Sequence, residues 1–145
     1  MKSRTFLFAF VIGVATLATP AFAQQSGNLR VEFQGPGGHS SGAYGRVNAL
    51  HAAARAVILI QKALPAGTYV ITNLTGGNSV NSIASDGLIE LRLNAKSAAA
   101  YKELVAAVTK AAAEGAAAEN AFRGVKPGDL TSGAPATVRS KVTPF

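Results

Sequence analysis

The chain of 145 residues has no cysteine, only two histidines and only seven acidic residues. Without cysteine there is no disulfide framework and no thiolate zinc site. The absence is neutral on redox compartment; an exported form of this chain would stand on packing alone. A catalytic zinc needs about three protein ligands, and His39, His51 and scattered carboxylates do not supply that set. Glu32, Asp86 and Glu90 form no paired-acid motif. Ser40 and Ser41 lack the G-x-S-x-G setting of a nucleophile elbow and have no evident His–Asp relay. Aromatic residues are also sparse: three tyrosines accompany bases that are scattered singly. A nucleic-acid surface needs a clustered basic face with stacking rings, so the positive balance reads as solubility with mild attraction for anions.

Long apolar runs are missing as well. The longest, FLFAFVIGVATLA at residues 6–18, is too short to span a bilayer. Lys2 and Arg4 precede it, and an A-x-A pattern at Ala21 and Ala23 follows, which is the layout of a secretory signal. Cleavage after Ala23 would leave 145 − 23 = 122 residues with a formal charge of (14 − 2) − 7 = +5. The expectation is an exported protein, periplasmic or secreted, with no membrane association after cleavage. Residues 24–145 then make one domain.

Within that domain, residues 28–33 (NLRVEF) alternate Leu29, Val31 and Phe33 with polar neighbours, the pattern of a half-buried strand. Residues 47–64 carry apolar positions at helical spacing and stop at Pro65 and Gly67. Residues 68–74 (TYVITNL) are β-branched and read as a strand. A Gly/Asn-rich loop leads to residues 87–94 (GLIELRLN), which alternate again. Ser97 predicts an N-cap for a second helix, from Ala98 to about Ala118. Residues 124–135 read as a loop, and residues 136–143 (ATVRSKVT) as a last strand. The order β-α-β-β-α-β predicts an α+β, ferredoxin-like two-layer sandwich: a four-stranded antiparallel sheet with two helices on one face.

The first helix carries two apolar stripes. Leu50, Ala54 and Val57 are expected to face the core. Ala52, Ala56, Leu59 and Ala63, near the far side, are small enough to admit another helix, and are expected to form a dimer interface beside an open strand edge.

Residues 35–42, GPGGHSSG, lead into that helix and place His39 in a glycine-rich turn. A dinucleotide fingerprint started at Gly35 would need glycine where Ser40 stands, and a P-loop needs a lysine that the segment lacks. A weak nest of backbone N–H groups for an anion stays open, beside a plain structural turn.

GPGGHSSGAYGRVNALHAAARAV followed by TNLTGGNSVNSIASDGLIELRLNA resembles the dimerisation (lid) domain of the zinc-dependent metallopeptidase family 20, which includes aminoacylases, carboxypeptidase G and tripeptide aminopeptidases. The resemblance runs from about Asn28 to Phe122. It implies a lid that pairs with a second lid through an edge strand and its neighbouring helix. It also implies that the lid histidine, here His39, reaches toward a zinc centre and helps to stabilise an oxyanion. The glycine-flanked asparagine, here Asn81, would help to hold substrate, with Gly76 and Gly77 letting backbone approach a ligand. Where the family usually has proline, this chain has Ala84. The family's catalytic domain, which carries the zinc ligands and the general-base glutamate, has no counterpart in the sequence. No cofactor is therefore expected on this chain, and zinc only through a separate catalytic chain. Three readings stay open: a stand-alone association module pairing as a homodimer or with a metallopeptidase chain, a periplasmic peptide or amino-acid binding protein, and an accessory subunit completing a zinc site in trans. A truncated remnant without a role is the fourth.

Overall fold

Alternation of apolar and polar residues builds the central sheet. In a computed structural model describing residues 24–145, β1 (Gln25–Gln34) pairs antiparallel with β5 (Asp86–Ala95), so that Val31 lies opposite Ile89 and Leu29 opposite Leu91. The expected signal segment, residues 1–23, lies outside the described residues. β3 (Tyr69–Thr75) flanks β5, and β8 (Arg139–Pro144) flanks β1, giving the order β3-β5-β1-β8 with all three pairings antiparallel. Leu29, Val31, Phe33, Ile89, Leu91 and Leu93 are all buried on one face. Against that face pack the helices α1 (Ala49–Ala63) and α2 (Ala98–Phe122). The expected α+β sandwich of a four-stranded sheet and two helices is the observed one. Two short ladders complete it: β2 (Gly38–His39) with β4 (Ser82–Ile83), and β6 (Leu130–Thr131) with β7 (Ala134–Pro135).

Helix boundaries follow their caps. Asn48 Oδ1 accepts from the N–H groups of Leu50 (3.0 Å) and His51 (3.1 Å), which starts α1 two residues later than its apolar pattern suggests. Ser97 Oγ accepts from Ala100 N–H at 3.2 Å, as expected of a cap for α2. That helix runs on to Phe122, beyond the expected Ala118, because the carboxylate of Glu119 is paired inside the fold. The last strand begins later than expected: Val138, inside the predicted strand, exchanges its backbone hydrogen bonds with the side chain of Asn120. The ladder with β1 therefore starts at Arg139, opposite Gln34. The expected loop at residues 124–135 includes the β6–β7 hairpin. Its turn residues Ser132 (φ 51°) and Gly133 (φ 79°) both have positive φ, as a two-residue type I′ turn requires.

The two stripes of α1 do not lie where the sequence pattern places them. Ala52 and Ala56, expected at a dimer interface, are fully buried against α2 of the same chain. A Cβ on Gly115 of α2 would lie 2.8 Å from both Ala52 O and Ala56 Cβ, so the small residues admit a helix, but an internal one. Leu59 is half-buried, and with Ala63 lines the shallow seam where α1 meets Ala107 and Ala111. The stripe expected in the core, Leu50, Ala54 and Val57, is only half-buried. At 100° per residue it lies on the flank of α1 away from α2, above the free edge of β3. The α1 core positions are instead Ala49, Ala52, Ala53, Ala56 and Ile60.

Candidate functional site

Because the strands alternate in direction, the connections after β1, β3 and α2 gather at one end of the sandwich, opposite the start of β1. There the structure brings His39 and Asn81 together across 42 residues of sequence: Asn81 Nδ2 lies 3.1 Å from His39 Nε2. The β2–β4 ladder sets this meeting, with His39 opposite Ser82 and Ser40 N–H donating to Asn81 O at 2.9 Å. The other ring nitrogen, Nδ1, lies 2.8 Å from Ser41 Oγ and 3.3 Å from Ser41 N. Ser79 Oγ donates to Asn81 Oδ1. Either neutral tautomer closes the network: Nδ1–H donates to Ser41 Oγ while Nε2 accepts from Asn81, or the Asn81 amide is turned over and Nε2–H donates to its oxygen. His39 and Asn81 are exposed. The pair presents one imidazole edge and one amide to solvent, groups that can donate to or accept from a carboxylate or a peptide backbone.

The glycines serve the chain's own backbone. A Cβ at Gly76 would lie 2.5 Å from Asp86 O and 3.0 Å from Gly87 Cα, so the close approach it permits is to the start of β5. Gly77 has φ +72° and donates its N–H to Asp86 Oδ2 at 3.3 Å. Ala84 is buried, and its carbonyl accepts the N–H of Ala49 at 3.0 Å, tying the loop to the start of α1. Zinc finds no fit here: among the described residues there is no group of three or more His, Asp or Glu able to hold a metal ion.

Two features of this end escaped sequence reasoning. Glu119, fully buried, accepts from Arg55 Nε (3.1 Å), Arg123 Nε (3.1 Å) and Asn48 N–H (3.1 Å), which ties the end of α2 to the start of α1. A lone buried carboxylate is costly, and these donors offset that cost. The Arg55 and Arg123 guanidinium groups lie over the ring of Phe122, 5.0 and 4.9 Å from its centre. The signal was present: Glu119 continues the buried line Val108, Ala112, Gly115 and Ala116 along α2. The second feature is Arg46, whose Nη1 donates to Gly37 O at 3.2 Å and Nη2 to Ser132 Oγ at 3.3 Å; no periodicity marks it. Elsewhere, on the open face of the sheet, the Arg30 guanidinium hydrogen-bonds Glu90 at 2.8 Å and holds its carboxyl below the ordinary range, with a smaller contribution from Asn73.

Residues 24–120 match the model of the peptidase dimerisation domain. No curated protein matches the chain. Among solved structures it is similar to an aminobenzoyl-glutamate utilization protein from Klebsiella pneumoniae, with TM-score 0.61, 17% identity, and coverage of 88% of this chain and 31% of that one. A tripeptidase from Staphylococcus aureus gives TM-score 0.60 at 17% identity over 83% of this chain and 29% of that one. A hydantoinase/carbamoylase family amidase from Burkholderia ambifaria gives TM-score 0.61 at 20% identity over 86% and 28%. The chain spans about a third of the length of these structures, and the likeness is one of fold.

Proposed function

We propose, for a chain that belongs to the peptidase dimerisation domain family, that its own function is association: an exported lid-type domain that pairs with a second copy of itself through β3 and the outer flank of α1. The observation that carries this reading is the character of that edge. No charged residue occurs in β3, and Val70 (55% exposed), Leu74 (43%) and, on α1, Ile58 (53%) are apolar groups left in water. Leu74, opposite Ile89, is on the helix side of the sheet, where α1 carries the half-buried Leu50, Ala54 and Val57 on its outer flank, while Val70, opposite Arg92, is on the open face. A bare strand edge flanked by apolar side chains is a template for pairing with another strand, and a two-fold partner would offer the same surface in return. Sedimentation equilibrium of the purified protein tests it. A dimer that Ile58→Glu dissociates is expected; a monomer at high concentration, unchanged by that substitution, removes the proposal.

A second reading rests on the meeting of His39 with Asn81. In it the exposed pair binds the carboxylate or backbone of a small peptide or amino acid, either for this domain alone or for a separate metallopeptidase chain that supplies zinc. Titration calorimetry with di- and tripeptides is expected to give heat that His39→Ala abolishes. Silence at millimolar peptide counts against the domain binding alone. Peptidase activity that rises on mixing with a catalytic chain, and falls with His39→Ala, would establish the trans arrangement.

A further inference from the structure

The segment between α2 and β8, residues 123–138, lies beyond the match to the family; its sequence reads as a loop over residues 124–135 and as the start of a strand after that. Its contacts give it a specific part. At its base Asn120 acts as a substitute strand: Nδ2 donates to Val138 O at 3.0 Å, and Val138 N–H donates to Oδ1 at 2.8 Å. Val125 N–H donates to Asn120 O at 2.9 Å, and Ala136 N–H to Asp129 O at 2.8 Å, so both limbs are held. Val138, 2% exposed, covers Gly35, where a Cβ would lie 3.1 Å from its Cγ2. The hairpin tip reaches the same turn from another point, because Arg46 bridges Ser132 Oγ to Gly37 O. Gly35 and Gly37 bracket the turn that leads straight into Gly38–His39. Gly38 itself leaves the space that Arg46 fills: a Cβ there would lie 3.1 Å from Arg46 Nη1 and 2.6 Å from Ala43 Cβ.

The β2–β4 ladder consists of two residue pairs, too few to hold itself in water, and the His39 ring is exposed, its hydrogen-bond partners Ser41 and Asn81 belonging to the same two short segments. We infer that residues 123–138 form a strap that seats β2 through Val138 and Arg46, and that Arg46 is a positioning residue for the His39–Asn81 pair. This rests on that pair being the working site, but its test reads geometry and needs neither ligand nor dimer.

The test is NMR on the full chain. The readouts are the hydrogen exchange of Ser40 N–H, which is bonded to Asn81 O, and the nitrogen shifts of the His39 ring. Arg46→Ala is expected to speed Ser40 exchange roughly 5- to 10-fold, the loss of about one net hydrogen bond, and to move both ring shifts. The core amides of Val31 and Leu91 should stay within about twofold in the same samples. Ser132→Gly removes the hydroxyl while easing the positive-φ turn, and is expected to give a smaller change of the same sign. Arg46→Lys keeps the charge but not the two-armed bridge, and should fall between parent and Arg46→Ala. If Arg46→Ala does not fold, Ser132→Gly decides. Parent-like Ser40 exchange and His39 shifts, in Arg46→Ala or, failing that, in Ser132→Gly, overturn the inference.

Discussion

The two edges of the sheet are built to opposite specifications. β8 carries Arg139 and Lys141 on the open face and ends at Pro144, so a strand approaching it meets charges and then a residue without an N–H. Such features blunt an edge against pairing. β3 has no charge, no proline and a row of β-branched or apolar residues, under an α1 flank that is itself half apolar. Both strands are outermost in the sheet, β3 with a register shift between Ile71 and Asn73, and their side chains differ in what they offer an approaching strand. One sheet thus holds one guarded edge and one free edge, which favours a closed pair over an open-ended stack.

The most damaging way to break this contrast is to remove the platform beneath it. Gly115→Val puts methyl groups where Ala52 O and Ala56 N already lie within 2.8 Å of a first added carbon. It should cost about 3 kcal/mol or more, seen as a lower urea midpoint; an unmoved midpoint would mean that α1 does not depend on this contact. Next in size, Ile58→Glu with Val70→Lys places charges on the free edge and should weaken self-association at least about tenfold. The unfolding midpoint of the dilute protein should barely change, since both residues are exposed. The converse experiment unguards the other edge: Arg139→Thr with Lys141→Val should give sedimenting species larger than a dimer, and a distribution identical to the parent's would show that these charges guard nothing. The smallest effect concerns Glu90, on the open face between the edges. Its native pKa is lowered by Arg30 from an ordinary 4.5, so its contribution to stability is complete above that value and fades as pH falls through the lowered native one. In paired urea titrations the advantage of the parent over Glu90→Gln should therefore shrink on acidification; an advantage that grows instead would reverse the assignment.

How far the sequence could be read depended on how sharply each residue type reports its surroundings. The strand at residues 28–33 and the one at residues 87–94 were legible because Leu29, Val31 and Phe33, and Ile89, Leu91 and Leu93, alternate strictly with polar groups, and all six are buried. Boundaries were less legible where a side chain replaced a backbone partner, as Asn120 does for Val138. The extension of α2 to Phe122 was hidden because a glutamate gives no sign of burial by its type; the Asn48 N–H and Arg55 reach Glu119 from the start of α1, and Arg123 from four residues further on. Of the candidate site, His39 and Asn81 could be singled out by motif resemblance, and the structure brings them within a hydrogen bond. Arg46 could not be, because its partners Gly37 O and Ser132 Oγ are a carbonyl and a hydroxyl, groups that leave no complementary charge to search for.

By itself the sequence determined the order of the elements and the inward face of each central strand, because a period of two leaves each side chain only two choices. Which stripe of α1 turned inward was decided by tertiary structure. On a helix where alanine lies on several sides, the difference in apolar area between one orientation and another is small. The absent side chain of Gly115, on a different helix, let Ala52 and Ala56 come close enough to settle it. The same packing left Leu50, Ala54 and Val57 beside an unguarded strand.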